Sequence, residues 1–189
     1  MSRRFYSDHG NAWRAADPGW QPGEGEVAFD DEPTEAALLA AFPGRAAAGL
    51  QAAIAARCNA IDAERDRRLK AGKLFGGLHV ALLDKLGTDG PRADLGGMVT
   101  TAGFVLLGIP GVTWPASFQL GWISVENERI AMPTPADGLA LAASAGDYFA
   151  AVVQVARDKK DDCLEAADLT ELEGISIETG WPENIDPLA

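Results

Sequence analysis

Apolar residues recur at helical spacing in three long stretches of the chain and alternate over a few shorter ones. Residues 46–70 contain no proline and are rich in Ala, Leu, Glu, Arg and Lys, which predicts one long helix. Its large apolar side chains are Leu50, Ile54, Ile61 and Leu69, with Cys58 between them, and alanine fills much of the rest. So narrow a stripe suits close packing against another helix or another subunit. The stretch at residues 86–94 is expected to open a second helix, with Asp89 as cap, Pro91 in the first turn, and a buried face of Leu95, Met98, Val99, Ala102 and Leu106. Gly96, Gly97 and Gly103 each cost such a helix about 1 kcal/mol against alanine, a cost that is explained if another backbone packs closely there. The third helix has the clearest start. Thr134-Pro135-Ala136-Asp137 reads as a capping box with proline at the first helical position. Leu139, Ala142, Gly146, Phe149, Val153, Ala156, Lys160 and Cys163 then follow at alternating steps of three and four, a heptad-like face lined with small residues. The expected partner of this face is the first helix, with Leu50, Ile54 and Ile61 against Phe149, Val153 and Ala156.

The shorter patterns predict strands. Residues 74–83 read as a hairpin around Gly76-Gly77, and residues 118–125 as a strand that returns over 129–132 through Glu126-Asn127-Glu128. Short strands are also expected at 27–29 and 175–177. A short helix over 34–41 stops before Phe42-Pro43, because a residue preceding proline avoids the α region. Residues 1–25 have little period but carry Phe5, Tyr6, Trp13 and Trp20. They are expected to form an arm that folds either on its own domain or on a partner. The expected fold is α+β: two long packed helices, a third helix and two short β-hairpins, with aromatic arms at both ends. The expected divisions are an arm over 1–44, a helix–hairpin–helix–hairpin–helix domain over 45–168 and an acidic tail over 169–189.

Charge changes this picture in one respect. The chain of 189 residues carries a net charge of −12, but unevenly: residues 45–73 are net +4 and residues 134–189 net −9. A surface so acidic repels phosphate backbones, so nucleic acid is not an expected partner. The basic helix end is expected to attract an acidic segment, its own C-terminal region or a neighbour's. Within the second half of that helix, Glu64 with Arg68 and Asp66 with Lys70 are spaced as ion pairs. No run of 18 apolar residues occurs, so no transmembrane helix is expected. The N-terminal residues lack the apolar region of a signal peptide, so synthesis in the cytoplasm is expected.

Candidate chemistry adds little. His9 and His79 are far apart, and Cys58 and Cys163 each fall on an apolar helical face. They have no zinc-ligand spacing. Neither a phosphate-binding glycine loop nor a nucleophile motif is present. No catalytic residue, metal or cofactor is therefore expected, although a carboxylate-only glycan hydrolase using acids such as Glu126 and Glu128 is not excluded by composition. Trp13, Trp20 and Trp181 lie in short, turn-rich segments and are the candidate partner contacts, since aromatic residues dominate binding hot spots.

One set of residues also forms an ordered pattern: Ala63-Glu64-Arg65-Asp66-Arg67-Arg68, Ala71-Gly72, Phe75 and Gly77, Thr88-Asp89, Arg92, Leu95-Gly96, Trp122-Ile123, Glu126-Asn127 and the helix after Thr134. This pattern, over about residues 57–165, resembles an uncharacterised domain family of phages and prophages of proteobacteria. Members of that family occur in or beside tail-fibre and tail-fibre-assembly proteins. The resemblance implies a virion structural protein of the tail or fibre, acting by protein–protein contact within an oligomeric assembly. The alternative it leaves is an assembly chaperone that holds a fibre and departs. It brings no catalytic residue to carry over.

Overall fold

A computed structural model describes residues 3–17, 19–83 and 90–189. The fold is α+β, and it divides into two compact units, residues 1–56 with 166–172, and residues 57–165 with 173–189.

The first unit contains residues that the sequence suggested would be an extended arm. They form a three-stranded antiparallel sheet of β1 (Arg3–Ser7), β2 (Ala12–Ala16) and β3 (Val27–Phe29), in the order β2-β1-β3. Side chains alternate across a strand, so Phe5 and Tyr6 point to opposite faces, yet both are buried. Tyr6 packs with Leu38 and Phe42, and its ring meets that of Phe29 edge-on at 5.4 Å. Leu38 comes from α1 (Glu35–Ala41), whose first turn is capped by Thr34: its Oγ1 accepts from the Ala37 amide at 3.2 Å. Phe42-Pro43 ends α1 as expected, and α2 (Arg45–Ala71) begins.

The second unit holds the rest of α2, the hairpin β4 (Lys73–Phe75) and β5 (Leu78–Val80), α3 (Pro91–Leu106), α4 (Ala116–Gln119), the short hairpin β6 (Trp122–Ile123) and β7 (Arg129–Ile130), and α5 (Pro135–Glu165). The last helix, α6 (Leu169–Gly174), begins in the first unit. The core of the second unit joins Leu69, Val80, Leu82, Met98, Met132 and Leu141, among others, with Trp114 at its edge. α5 packs most closely on α3 and β4. Asp89, expected to cap α3, lies outside the described residues; Gly90 holds the cap position. The Thr134 capping box is present: the Asp137 carboxylate accepts from the Thr134 amide at 2.9 Å, and the Asp137 amide donates to Thr134 Oγ1 at 3.3 Å.

Two glycines set the entry to the two hairpins of the second unit. Gly72 has φ +86° and Gly121 φ +100°. A Cβ at either would stand 2.6 Å from a strand carbonyl oxygen, that of Val80 or of Ile130. No other residue fits that conformation and that contact together.

Of the predicted strands, one is shortened and one is absent. The stretch expected to run as a strand from 118 starts instead as α4, directly after Pro115, with Phe118 tilted on Trp114 at 5.0 Å; only Trp122–Ile123 remains extended. Residues 175–177 form no strand because side chains take their carbonyls. Arg57 donates to Ile175 O, and Lys159 Nζ donates to Ser176 O at 2.7 Å. By length and composition α5 is apolar enough to cross a bilayer, although Asp147 interrupts its apolar run; in this fold 33% of that stretch is buried inside the protein.

The C-terminal residues are not a free acidic tail. Asn184 lies along β4, accepting from the Leu74 amide and donating to Gly72 O, each at 2.9 Å. Asp186 receives the Gly76 and Gly77 amides of the hairpin turn at 2.9 and 2.6 Å, and the buried Lys73 ammonium donates to Ile185 O. Backbone amides and one lysine thus fasten the segment at the edge of a two-stranded sheet, an edge that would otherwise present unpaired polar groups.

Candidate functional site

The two N-terminal tryptophans are exposed but held. Trp13 is 54% and Trp20 52% exposed. Trp13 stands across from Tyr6 in the β1–β2 pair, and the Arg4 guanidinium lies 4.5 Å from its ring centre. Arg14 lies over both Phe5, at 4.8 Å, and Trp20, at 5.6 Å. Arg14 is itself fixed by Glu26, through two hydrogen bonds of 2.7 Å, and Glu26 also accepts from the Gly23 amide at 2.7 Å. The Arg14 guanidinium, with that amide, draws the Glu26 carboxyl down to about 2. Cations on aromatic faces and a fork-to-fork ion pair leave each ring with little freedom to lose on binding. The tryptophans are legible in the sequence and the clamp is not, because Arg14 and Glu26 are brought together only by the sheet and its turn.

Trp181 does not share this exposure. It packs against the core of its own unit, donates from Nε1 to Ile177 O at 2.7 Å, and has the Arg68 guanidinium 5.1 Å from its ring. Expected with Trp13 and Trp20 as a partner contact, it instead fastens the C-terminal segment, because its indole N–H and its ring face both find partners within the unit.

The helix-packing residues divide in the same way. Ile61 is fully buried and Ile54 nearly so, while Leu50 is half-buried and lines an open, largely apolar cleft of about 820 Å³ with Leu39, Ala46 and Leu169. On α5 the buried line is Gly138, Leu141, Ala142, Ala145, Tyr148, Val152, Ala156 and Cys163. Phe149 faces α3, with the Arg92 guanidinium 4.2 Å from its ring, and Val153 is 38% exposed. The heptad reading therefore meets the buried face at Ala142, Ala156 and Cys163 and leaves it at Phe149 and Val153. A seven-residue repeat drifts about 20° per heptad around a straight helix, and α5 serves α3, β4 and α2 rather than one partner seam. Its link to α2 includes the Lys160–Asp62 ion pair at 2.9 Å.

The residues of the ordered sequence pattern hold structure. Glu64 takes both Arg67 and Arg68, at 2.6 and 2.7 Å, and their hydrogen bonds pull its carboxyl below the ordinary range. Asp66 pairs with Arg65 at 2.7 Å rather than with Lys70. The basic end of α2 does meet the C-terminal region, but at carbonyls: Arg57 reaches Glu173 O and Arg68 reaches Glu178 O, each at 3.2 Å. Phe75 and Leu95 are core residues, and Asn127 turns the second hairpin with φ +62°. Thr88 and Asp89 of the pattern lie outside the described residues.

Of the titratable candidates, His79 is half-exposed on β5 and lies against Glu126. Cys163 is fully buried; desolvation first, then the neighbouring Cys58, raises its thiol above the usual range. Among the described residues no group of three or more His, Cys, Asp or Glu side chains is placed to hold a metal ion. The arrangement offers surfaces for contact: two clamped tryptophans on a small sheet, and a set of exposed apolar side chains on and after α3.

No curated protein and no solved structure matches the chain. Residues 51–178 match the family model of a domain of unknown function, DUF4376. That match covers more than half of the chain and includes the pattern whose residues were placed above, so the chain belongs to the DUF4376 family.

Proposed function

We propose that this protein is a structural component of a bacteriophage or prophage tail or tail fibre, working by protein–protein contact. The observation that carries the reading is the pair Trp13 and Trp20, more than half exposed yet each braced by an arginine. Such bracing leaves the rings little freedom to lose on binding, and aromatic residues are enriched among the anchors of interfaces. The tail assignment is supported by the resemblance of the 63–127 pattern to tail-associated phage proteins. Those pattern residues serve the fold, so they supply a scaffold that presents a surface. The test uses purified particles from an induced lysogen or infected culture. Mass spectrometry of the particles should find the protein, and the double variant Trp13→Ala with Trp20→Ala should fold, as both rings are surface groups, but be lost from particles. A protein needed for assembly yet absent from mature particles supports the chaperone alternative. Particles that retain the folded double variant at wild-type level overturn the tryptophan contact.

A further inference from the structure

Between Asp94 and Glu126 the chain contains no charged residue, in a protein of net charge −12. Within this run Val99, Phe104, Leu106, Leu107 and Ile109 are 38–76% exposed. The three glycines of α3 lie on its outward side or flank it, and among the described residues a Cβ at Gly96, Gly97 or Gly103 would meet nothing within 4 Å. The close backbone that the sequence led one to expect there is not supplied by this chain's described residues. The sizes are also ordered along the helix. The outward side is small in the first half (Ala93, Gly96, Gly97) and large at the end (Phe104, Leu107), with Thr100 between them.

We propose that α3 is the two-fold interface of a homodimer, packed antiparallel on α3 of a second copy with Thr100 at the centre. In that arrangement Phe104 of one copy falls opposite Gly96 and Gly97 of the other, and Leu107 opposite Ala93, so large meets small on both sides. Such self-complementarity is what an isologous contact requires, and an unrelated partner or a parallel pairing gives no reason for it. A receiving site is already present: an open cleft of about 500 Å³, mostly apolar, lined by Ala93, Gly97, Phe118, Trp122 and Met132 and by one charged side chain, Asp94. Phe104 of the second copy fills it. Charge points to the same occupant. Two copies of an acidic chain repel, and they meet at least cost along the uncharged run from 95 to 125, which leaves Arg92 and Asp94 as the charged groups near the contact.

The test needs only the purified full-length chain, so it stands apart from the tail assignment. Sedimentation equilibrium should show a dimer, tightening with added salt as repulsion is screened. Phe104→Asp and Gly97→Leu should each weaken it by about 30-fold or more. Neither change touches a buried position, and thermal melts of both variants at dilutions where the wild type is monomeric check that the fold is kept. Thr100→Cys should form a covalent dimer under mild oxidation, beyond any seen with wild type, and Phe104→Cys should not, since the antiparallel two-fold brings position 100 onto itself but sets 104 against 96, whereas a parallel pairing would join both. A chain monomeric at every concentration tested, a dimer indifferent to both substitutions, or a monomer that instead binds neutral phospholipid vesicles through Phe104 overturns the proposal.

Discussion

Glu126 holds His79 at two points: its carboxylate accepts from the His79 amide at 3.0 Å and lies 2.6 Å from the ring Nδ1. The Val125 amide returns a bond to His79 O at 2.8 Å. The turn after β6 is thereby tied to β5, and two hairpins that are each too short to stand alone become one assembly. The backbone amide of His79, then its ring, draw the Glu126 carboxyl down to about 2.

That shift fixes the sign of an acid effect. A carboxylate with a depressed folded pKa adds stability above its unfolded pKa, and this is lost as pH falls through the folded value. Glu126→Gln should therefore lower the melting temperature at neutral pH, and the gap to wild type should close as pH falls from about 4.5 towards about 2. Thermal melts across that range check it; a gap that widens on acidification refutes the assigned role.

Ile61 is fully enclosed in the second unit. Ile61→Asp buries a charge with no partner, a change among the most damaging single substitutions, and should cost at least about 4 kcal/mol. Denaturant unfolding measures this directly. An unaltered midpoint would mean that position 61 faces solvent.

Two glycines of α5 should respond in opposite directions. A Cβ at Gly138 would lie 2.7 Å from the Trp114 ring, which is buried and hydrogen-bonded through Nε1 to Met132 O at 3.0 Å, and so cannot easily yield. Gly138→Ala should destabilise by about 1–3 kcal/mol through overpacking. Gly146 has open space at that point, so Gly146→Ala should stabilise by up to about 1 kcal/mol through helix propensity. Equilibrium unfolding of the two variants side by side is the check, and equal effects would contradict the packing around Trp114.

Asp186 closes the C-terminal segment on the Gly76-Gly77 turn. Its carboxyl is held below the ordinary range by the amides of Leu188, Gly77 and Gly76 and by the charge of Lys73. Asp186→Ala should speed amide hydrogen exchange at Gly76 and Gly77, with a smaller rise at Leu74, whose partner Asn184 is retained on the same segment. Unchanged exchange at the two glycines would show that the segment does not protect the turn. The attachment should also loosen in acid, by the same sign argument as for Glu126.

Helix positions were legible in the sequence because they follow from local terms. Alanine-rich composition and a proline-free run predicted α2, Pro91 marked the start of α3, and the Thr134–Asp137 box opened α5. The β4–β5 hairpin was equally local, since Gly76-Gly77 determines its turn. What the first residues do was not local. β1 is a strand because β2 and β3 lie on either side of it and α1 supplies Leu38 beneath Tyr6. Which side of α5 is buried was likewise decided by its several neighbours, a choice that a repeat of threes and fours cannot encode. The tryptophans show the division most clearly. Sequence marks Trp13, Trp20 and Trp181 alike as aromatics in turn-rich segments. Only the folded chain brings Ile177 O and Arg68 to Trp181 and leaves Trp13 and Trp20 half in solvent, because burial depends on contacts between residues far apart in the chain.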